Sequence, residues 1–247
     1  MADKPLSLTD AELDELSVVT EDDEDAAVKR WDESVDELLI GLLLLSGFEW
    51  DAGTYRYYDE ATGAVLSPAK IAAGLESLIE QTALNFSDLT QKLIDGKITL
   101  ASWQSSMLSE IKISHTASAA LANGGMANVA EWSSAERLIA RQYDFLRGFA
   151  DDIANGTQAL DGRALVRADL YADAVNGTYW EEDKLLHLQD GYEEGRRVLE
   201  PGVDHCEDCE EYASEGWMPI EDIPEIGNSQ CLTRCRCTIE YRTVQEQ

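Results

Sequence analysis

No cysteine precedes Cys206, and five then crowd into the remaining stretch as Cys206, Cys209, Cys231, Cys235 and Cys237. Nothing ties the earlier residues together covalently, and an odd count in a chain with no secretory leader argues against a disulfide framework. Basic residues are scarce: 19 Lys+Arg face 49 Asp+Glu, for a formal net charge of -30. Such a field repels a phosphate backbone, so a DNA-coating role is disfavoured. Long apolar runs are missing too. The most apolar segment, Leu38 to Leu45 (LLIGLLLL), falls far short of the ~20 residues that cross a bilayer. The opening Met1-Ala2-Asp3-Lys4-Pro5 lacks the basic stretch and apolar core of an export signal. Neither a membrane span nor export is expected. No Gly-rich phosphate loop, Gly-x-Ser-x-Gly elbow or His-Glu-x-x-His pattern is present, which leaves enzymatic activity without support.

What is there divides into three parts. Residues 1–25 are an acidic arm, with Glu21-Asp22-Asp23-Glu24-Asp25 following Asp10, Glu12, Asp14 and Glu15; such a run reads first as a flexible, solvated arm, the sharper alternative being a tail that docks on a basic partner surface. Residues 26–200 read as a helical body with a hairpin at about 48–66. A helix from Ala26 to Ser46 becomes increasingly apolar and stops at Gly47. Phe48, Trp50, Tyr55, Tyr57 and Val65 then flank the turn-like Asp59-Glu60-Ala61-Thr62-Gly63. Ser67-Pro68 opens a helix expected to reach Asn85, with a second from Ser87 to Asp95. Leu100, Trp103, Met107 and Ile111 recur every three or four positions, predicting one helix from Thr99 to the Gly124-Gly125 break. Ser133 and Glu136 form a capping box for the next, which ends at Asn155-Gly156. Two further helices are expected over Asp161–Asn176 and Glu182–Leu199. The predicted fold is mainly α, with one short β-hairpin and a small cysteine-rich module over 201–247.

That module carries the chemistry. A Cys-x-x-Cys knuckle at Cys206 and Cys209 lets two thiolates from one turn reach the same ion, and a second cluster some twenty residues later can close the tetrahedron. Spacing favours Cys206, Cys209, Cys231 and Cys235 as zinc ligands, with Cys237 as reserve; a strand from Cys235 to Tyr241 would instead put Cys235 and Cys237 on one side and leave Cys231 free. A structural zinc would supply folding energy to a tail too small to build its own core. A thioredoxin-like pair lacks its βαβ context, and plain packing of reduced thiols is the blander alternative. His205 adjoins the knuckle and is a possible substitute ligand. His115 beside the apolar stripe reads as a half-buried, satisfied histidine, and His187 has no neighbouring nucleophile. Arg234, Arg236 and Arg242 sit amid Glu207, Asp208, Glu210 and Glu211, so the tail is not a basic patch.

The Cys-x-x-Cys, the Gly216-Trp217 and Pro219 spacer and the terminal Cys231-x-x-x-Cys235-Arg236-Cys237 resemble the C-terminal signature of phage head morphogenesis proteins, also called minor head or minor capsid proteins. The Tyr55-to-Gly63 hairpin and the stretch from Gly96 through Trp103 and Met107 to Gly124-Gly125 are similar to segments of that family. The acidic N-terminus departs from its pattern. The resemblance implies a structural virion protein of the phage head. It would associate with the portal or major capsid protein and act in head assembly, DNA packaging or ejection, passing through the host cytoplasm during assembly. It implies a zinc site at the cysteines and no catalytic residue. The alternatives are a transient assembly factor absent from mature particles and a degenerate ADP-ribosyltransferase-like enzyme, the latter requiring a strand-rich core.

Overall fold

The computed structural model describes residues 48–51, 56–124 and 133–244. The acidic arm and the expected Ala26–Ser46 helix with its Leu38–Leu45 run lie outside them, as does the side chain of the Ser133 cap. The fold is mainly helical. Strands β1 (Phe48–Asp51) and β2 (Arg56–Asp59) lead into helices α1 (Pro68–Ile94), α2 (Leu100–Asn123), α3 (Ser133–Ala154) and α4 (Gly162–Gln189). Then come β3 (Glu194–Val198), the short helix α5 (Glu207–Glu215), β4 (Met218–Pro219) and β5 (Thr238–Arg242), with 3₁₀ turns at Ile220–Asp222 and Leu232–Arg234.

The apolar stripe of α2 does what its period demands. Trp103, Met107 and Ile111 are fully buried among Phe86 of α1, Leu146 and Phe149 of α3, and Ala168 and Tyr171 of α4. Trp103 meets Phe149 edge to face at 5.1 Å and donates its indole N–H to Thr90 Oγ1 at 3.2 Å, so the one polar atom of the ring is satisfied. Thr99 caps α2 by accepting from the Ser102 amide, and Gly124 ends it in the left-handed conformation. The hairpin docks on this bundle through Tyr57, whose hydroxyl donates to the Leu121 carbonyl at 2.7 Å. β1 and β2 pair antiparallel, and the turn Asp59–Gly63 folds the chain back a second time, so that Val65 bridges Tyr58. Asp59 holds that turn by accepting from the amides of Ala61 and Thr62.

Two expected helix breaks do not occur. The segments Pro68–Asn85 and Ser87–Asp95 are one helix: Phe86, at the seam, is fully buried, and the Asn85 amide donates to Glu110 of α2 at 2.6 Å instead of competing for its own backbone. Asn176-Gly177 likewise lies inside a single helix, α4. Both residues face the C-terminal module. Asn176 Nδ2 donates to the Cys235 carbonyl at 3.0 Å, and a Cβ at Gly177 would sit 3.3 Å from the Ile226 carbonyl oxygen. Glycine is there for close approach, not for a turn.

The expected helix Glu182–Leu199 is a further correction, because α4 ends at Gln189 and Glu194–Val198 is a strand. β3 is the centre of a three-stranded antiparallel sheet in the order β4-β3-β5, with Gly195 opposite Tyr241 and Arg197 opposite Ile239. The module therefore reaches back before Pro201. A Cβ at Gly195 would collide with the Ile223 side chain, which covers this strand at its most crowded point.

His115 is more deeply buried than expected. It sits on α2 with Nδ1 2.6 Å from Thr178 Oγ1 of α4, and burial presses its pKa from 6.5 down to about 4. A base whose folded pKa is depressed leaves the native state with fewer bound protons than the unfolded chain between pH 6.5 and 4. Its contribution is therefore intact above pH 6.5 and lost as the pH falls through that window. At about 1.4 kcal/mol per unit, the loss reaches about 3 kcal/mol by pH 4. Urea unfolding of the wild-type chain and His115→Gln across this range checks it: the difference between the two stability curves should flatten above pH 6.5 and slope below it.

Candidate metal centre

Two loops bring the five cysteines together. The first is the N-terminus of α5: Cys206 takes the extended conformation that precedes the helix, and Cys209 sits in its first turn. Free N–H groups there favour a thiolate over a thiol. The second loop starts at Cys231, makes the 3₁₀ turn Leu232–Arg234, and delivers Cys235 and then Cys237 to the start of β5. Asp208 locks one loop to the other, accepting from the Gln230 backbone amide at 2.8 Å and from its side-chain amide at 3.0 Å.

The second loop turns tightly enough to force Leu232 to φ 49°, the one non-glycine residue at positive φ among those described. Its side chain is exposed, so packing does not hold it there. A non-glycine residue in this region costs roughly 1–2 kcal/mol. Leu232→Gly should therefore stabilise the module by about 1 kcal/mol, part of the gain being offset by the freer unfolded chain; chemical denaturation followed at Trp217 measures it.

The sulfurs form two overlapping groups. Cys206, Cys209 and Cys231 all place their Sγ atoms within 4.8 Å of one another, and so do Cys209, Cys235 and Cys237. Cys209 belongs to both, with 3.6 Å to Cys231 and 3.6 Å to Cys235. These separations are far from the ~2.05 Å of a disulfide. They match the edge of a tetrahedron of thiolates about 2.3 Å from a central ion, which is roughly 3.8 Å. The cysteine groups can hold a metal ion. Cys209, Cys235 and Cys237 are buried, while Cys206 and Cys231 are half-buried at the rim.

Electrostatics sorts the five. The Cys235 thiol is drawn down to about 4 by its hydrogen bond with the Cys237 side chain, helped by the Cys237 backbone and the charge of Arg197. The same contact with Cys235, together with burial, pushes Cys237 well up. Burial raises Cys231 to about 12 and also raises Cys209. At Cys206 burial is outweighed by the backbone amides of Cys209 and Cys231, which hold the thiol near 7. A bound metal ion would replace these protons as the shared counter-charge.

Around the sulfurs lies a ring of supports that spacing does not reveal. Arg197 of β3 is buried, 2% exposed, with Nη1 3.6 Å from Cys235 Sγ and Nη2 donating to the Glu225 carbonyl at 3.0 Å. It is a fixed positive charge against the Cys235 sulfur. Ser229 Oγ lies 3.1 Å from Cys231 Sγ and 3.5 Å from Cys209 Sγ. In the sequence, Arg196-Arg197 is visible only as a basic pair in a chain poor in basic residues.

Of the three histidines, only His205 comes near the cluster. Its Nδ1 is 3.9 Å from Cys237 Sγ and its Nε2 2.9 Å from the Glu200 carbonyl. His115 lies in the bundle, and His187 stacks on Tyr241 at 4.0 Å beside a groove of about 960 Å³ between body and sheet. The tail arginines are paired: Arg234 with Asp173 at 3.1 Å, Arg236 with Glu76 at 3.9 Å, and Arg242 with Glu194. Arg242 also lies over the Trp217 ring at 4.4 Å.

The fold and the cluster define a class, a mainly helical protein with a cysteine cluster near its C-terminus that could hold a metal ion. No family model, curated protein or solved structure matches the chain.

Proposed function

We propose that the cluster holds zinc as a structural ion and that the chain is a structural minor component of a phage head. In this reading it associates with the portal or major capsid protein and acts in head assembly, DNA packaging or ejection. The observation that carries the reading is a donor set made of cysteine sulfurs, three of the five buried. Thiolates select borderline-soft zinc over magnesium or calcium, and four cysteine ligands drawn from the five present would leave no open position for a substrate or an activated water. Its loops are bound to α4 through Asn176 and Arg234, so an ion here would make the module and the bundle one rigid body. A rigid knob on an acidic helical body suits docking to a basic subunit surface. The phage assignment itself draws on the cysteine signature and its spacer. The ADP-ribosyltransferase-like alternative calls for a strand-rich core, whereas the described residues are mainly helical with sheets of two and three strands.

The test is assembly. Capsids assembled from the portal, the major capsid protein and this chain are purified by sedimentation and their composition measured. Retention of a few copies per particle supports the virion role. Presence in immature shells and loss from filled particles would replace it with a transient assembly role, and absence from both would end the assignment.

A further inference from the structure

The three-stranded sheet ends on β5. In the order β4-β3-β5, this strand pairs with β3 on one side, and among the described residues nothing pairs with the other. An edge strand carries a row of N–H and C=O groups that point outward, a template for one more strand. The groove of about 960 Å³ runs along it, lined by every residue from Cys235 to Tyr241. Successive side chains of a strand point to opposite faces. A cavity that touches each residue in turn therefore lies against the edge of the strand and not against one face of the sheet.

The rest of the lining says what fits. Leu75 and Ile79 of α1 and Trp180 of α4 give the groove apolar surface. Its charge is mostly acidic: Arg236 is engaged with Glu76 and Glu240 with Arg196, which leaves Asp183, Asp190 and Glu200 against Arg56. Burial raises the Asp183 pKa to about 6, and His187, 3.6 Å away, does not offset it, the mark of a carboxylate short of positive charge. The apolar run Leu38–Leu45 of the same chain is poorly matched, because Asp32, Glu33, Asp36 and Glu37 precede it, and a second copy brings another net charge of -30. A strand bearing lysine or arginine supplies the charge that the groove lacks.

We propose that this groove receives an extended basic segment of a partner protein, added as a strand along the free edge of β5, with its apolar side chains on Leu75, Ile79 and Trp180 and its basic ones on Asp183, Asp190 and Glu200. Backbone hydrogen bonds to β5 supply affinity, and the side-chain contacts supply specificity. The inference goes beyond the virion reading, since it concerns a backbone edge and not which particle or ion the chain serves.

The probe is the acetylated peptide Lys-Val-Lys-Val-Lys-Val-Lys, long enough to cover the five residues of β5. Its binding to the full chain is followed by fluorescence anisotropy at about 0.15 M salt, where long-range attraction to an acidic chain is screened, and its place by hydrogen exchange. Saturable binding and slowed exchange over residues 238–242 are expected. The fully N-methylated peptide, which keeps its charges but donates no backbone hydrogen bond, and the peptide with Glu in place of Lys should each bind at least about tenfold more weakly. Asp190→Lys, at the exposed rim of the groove, should weaken the lysine peptide as well. No saturable binding, protection confined to other segments, or equal binding of either control peptide overturns the proposal. So do β5 amides already fully protected in the chain alone, which would mean that the chain itself or a second copy covers the edge. None of these outcomes bears on the zinc content.

Discussion

Cys209→Ser is expected to release bound metal and to unfold the segment from β3 to β5 while the four long helices persist. Cys209 is the one sulfur in both groups, so its loss opens every metal-holding combination of the cluster. The module has little else to stand on. Its core is Ile220, Ile223, Ile226 and Ile239 packed on the cysteines themselves, and its strands are two to five residues long. Structural zinc contributes apparent binding energies of about 10–16 kcal/mol in small modules, far more than this core can replace. The bundle, by contrast, rests on Trp103, Phe149 and their neighbours, none of which touches the cluster. Two readouts separate the parts. Limited proteolysis should cut the variant between about residues 190 and 244, and far-UV helicity should fall only by the contribution of α5, nine residues long. A strong chelator should reproduce both effects in the wild-type chain. Equal protease resistance of variant and wild type would show that the module does not depend on the Cys209 sulfur.

Arg197→Ala should destabilise the module by about 3–5 kcal/mol, the usual cost of removing one partner from a buried charge pair. The arginine spans the cluster and the Glu225 carbonyl and lies over the Tyr212 ring at 5.6 Å, so its loss leaves thiolate charge without its protein counter-ion and a void under β3. Arg197→Lys keeps the charge but cannot span both contacts, and should recover only part of the stability. Metal affinity should fall together with stability, by about 10–100-fold, as is typical when a group supporting a ligand is removed. Competition with a zinc chelator measures the first and urea unfolding the second. A variant with wild-type affinity would show that Arg197 is merely packed there.

Local chemistry made much of this legible. The α2 stripe announced a buried face, Thr99 and Gly124 marked its ends, and the Asp59–Gly63 turn was readable from its residue types. Two long helices were harder because their apparent breaks answer to distant partners. Asn85 looks like a break until Glu110 is seen across from it, and Asn176-Gly177 looks like a turn until the Cys235 carbonyl and Ile226 press against it. β3 was missed for a related reason. Glu-Gly-Arg-Arg-Val has no run of β-branched residues, and only pairing with β5 on one side and β4 on the other makes it a strand. The cysteines were visible as a set, but spacing alone forced a choice between Cys231 and Cys237. The fold assigns each to a different group through Cys209, a relation created by where two loops meet.

The proposed zinc at these cysteines is open to elemental analysis of the full chain, purified without added metal or chelator. Zinc at one or more atoms per chain is expected, retained through gel filtration and lost in Cys209→Ser. A wild-type chain that is folded through β5 and carries less than about a tenth of an atom of any transition metal would contradict it.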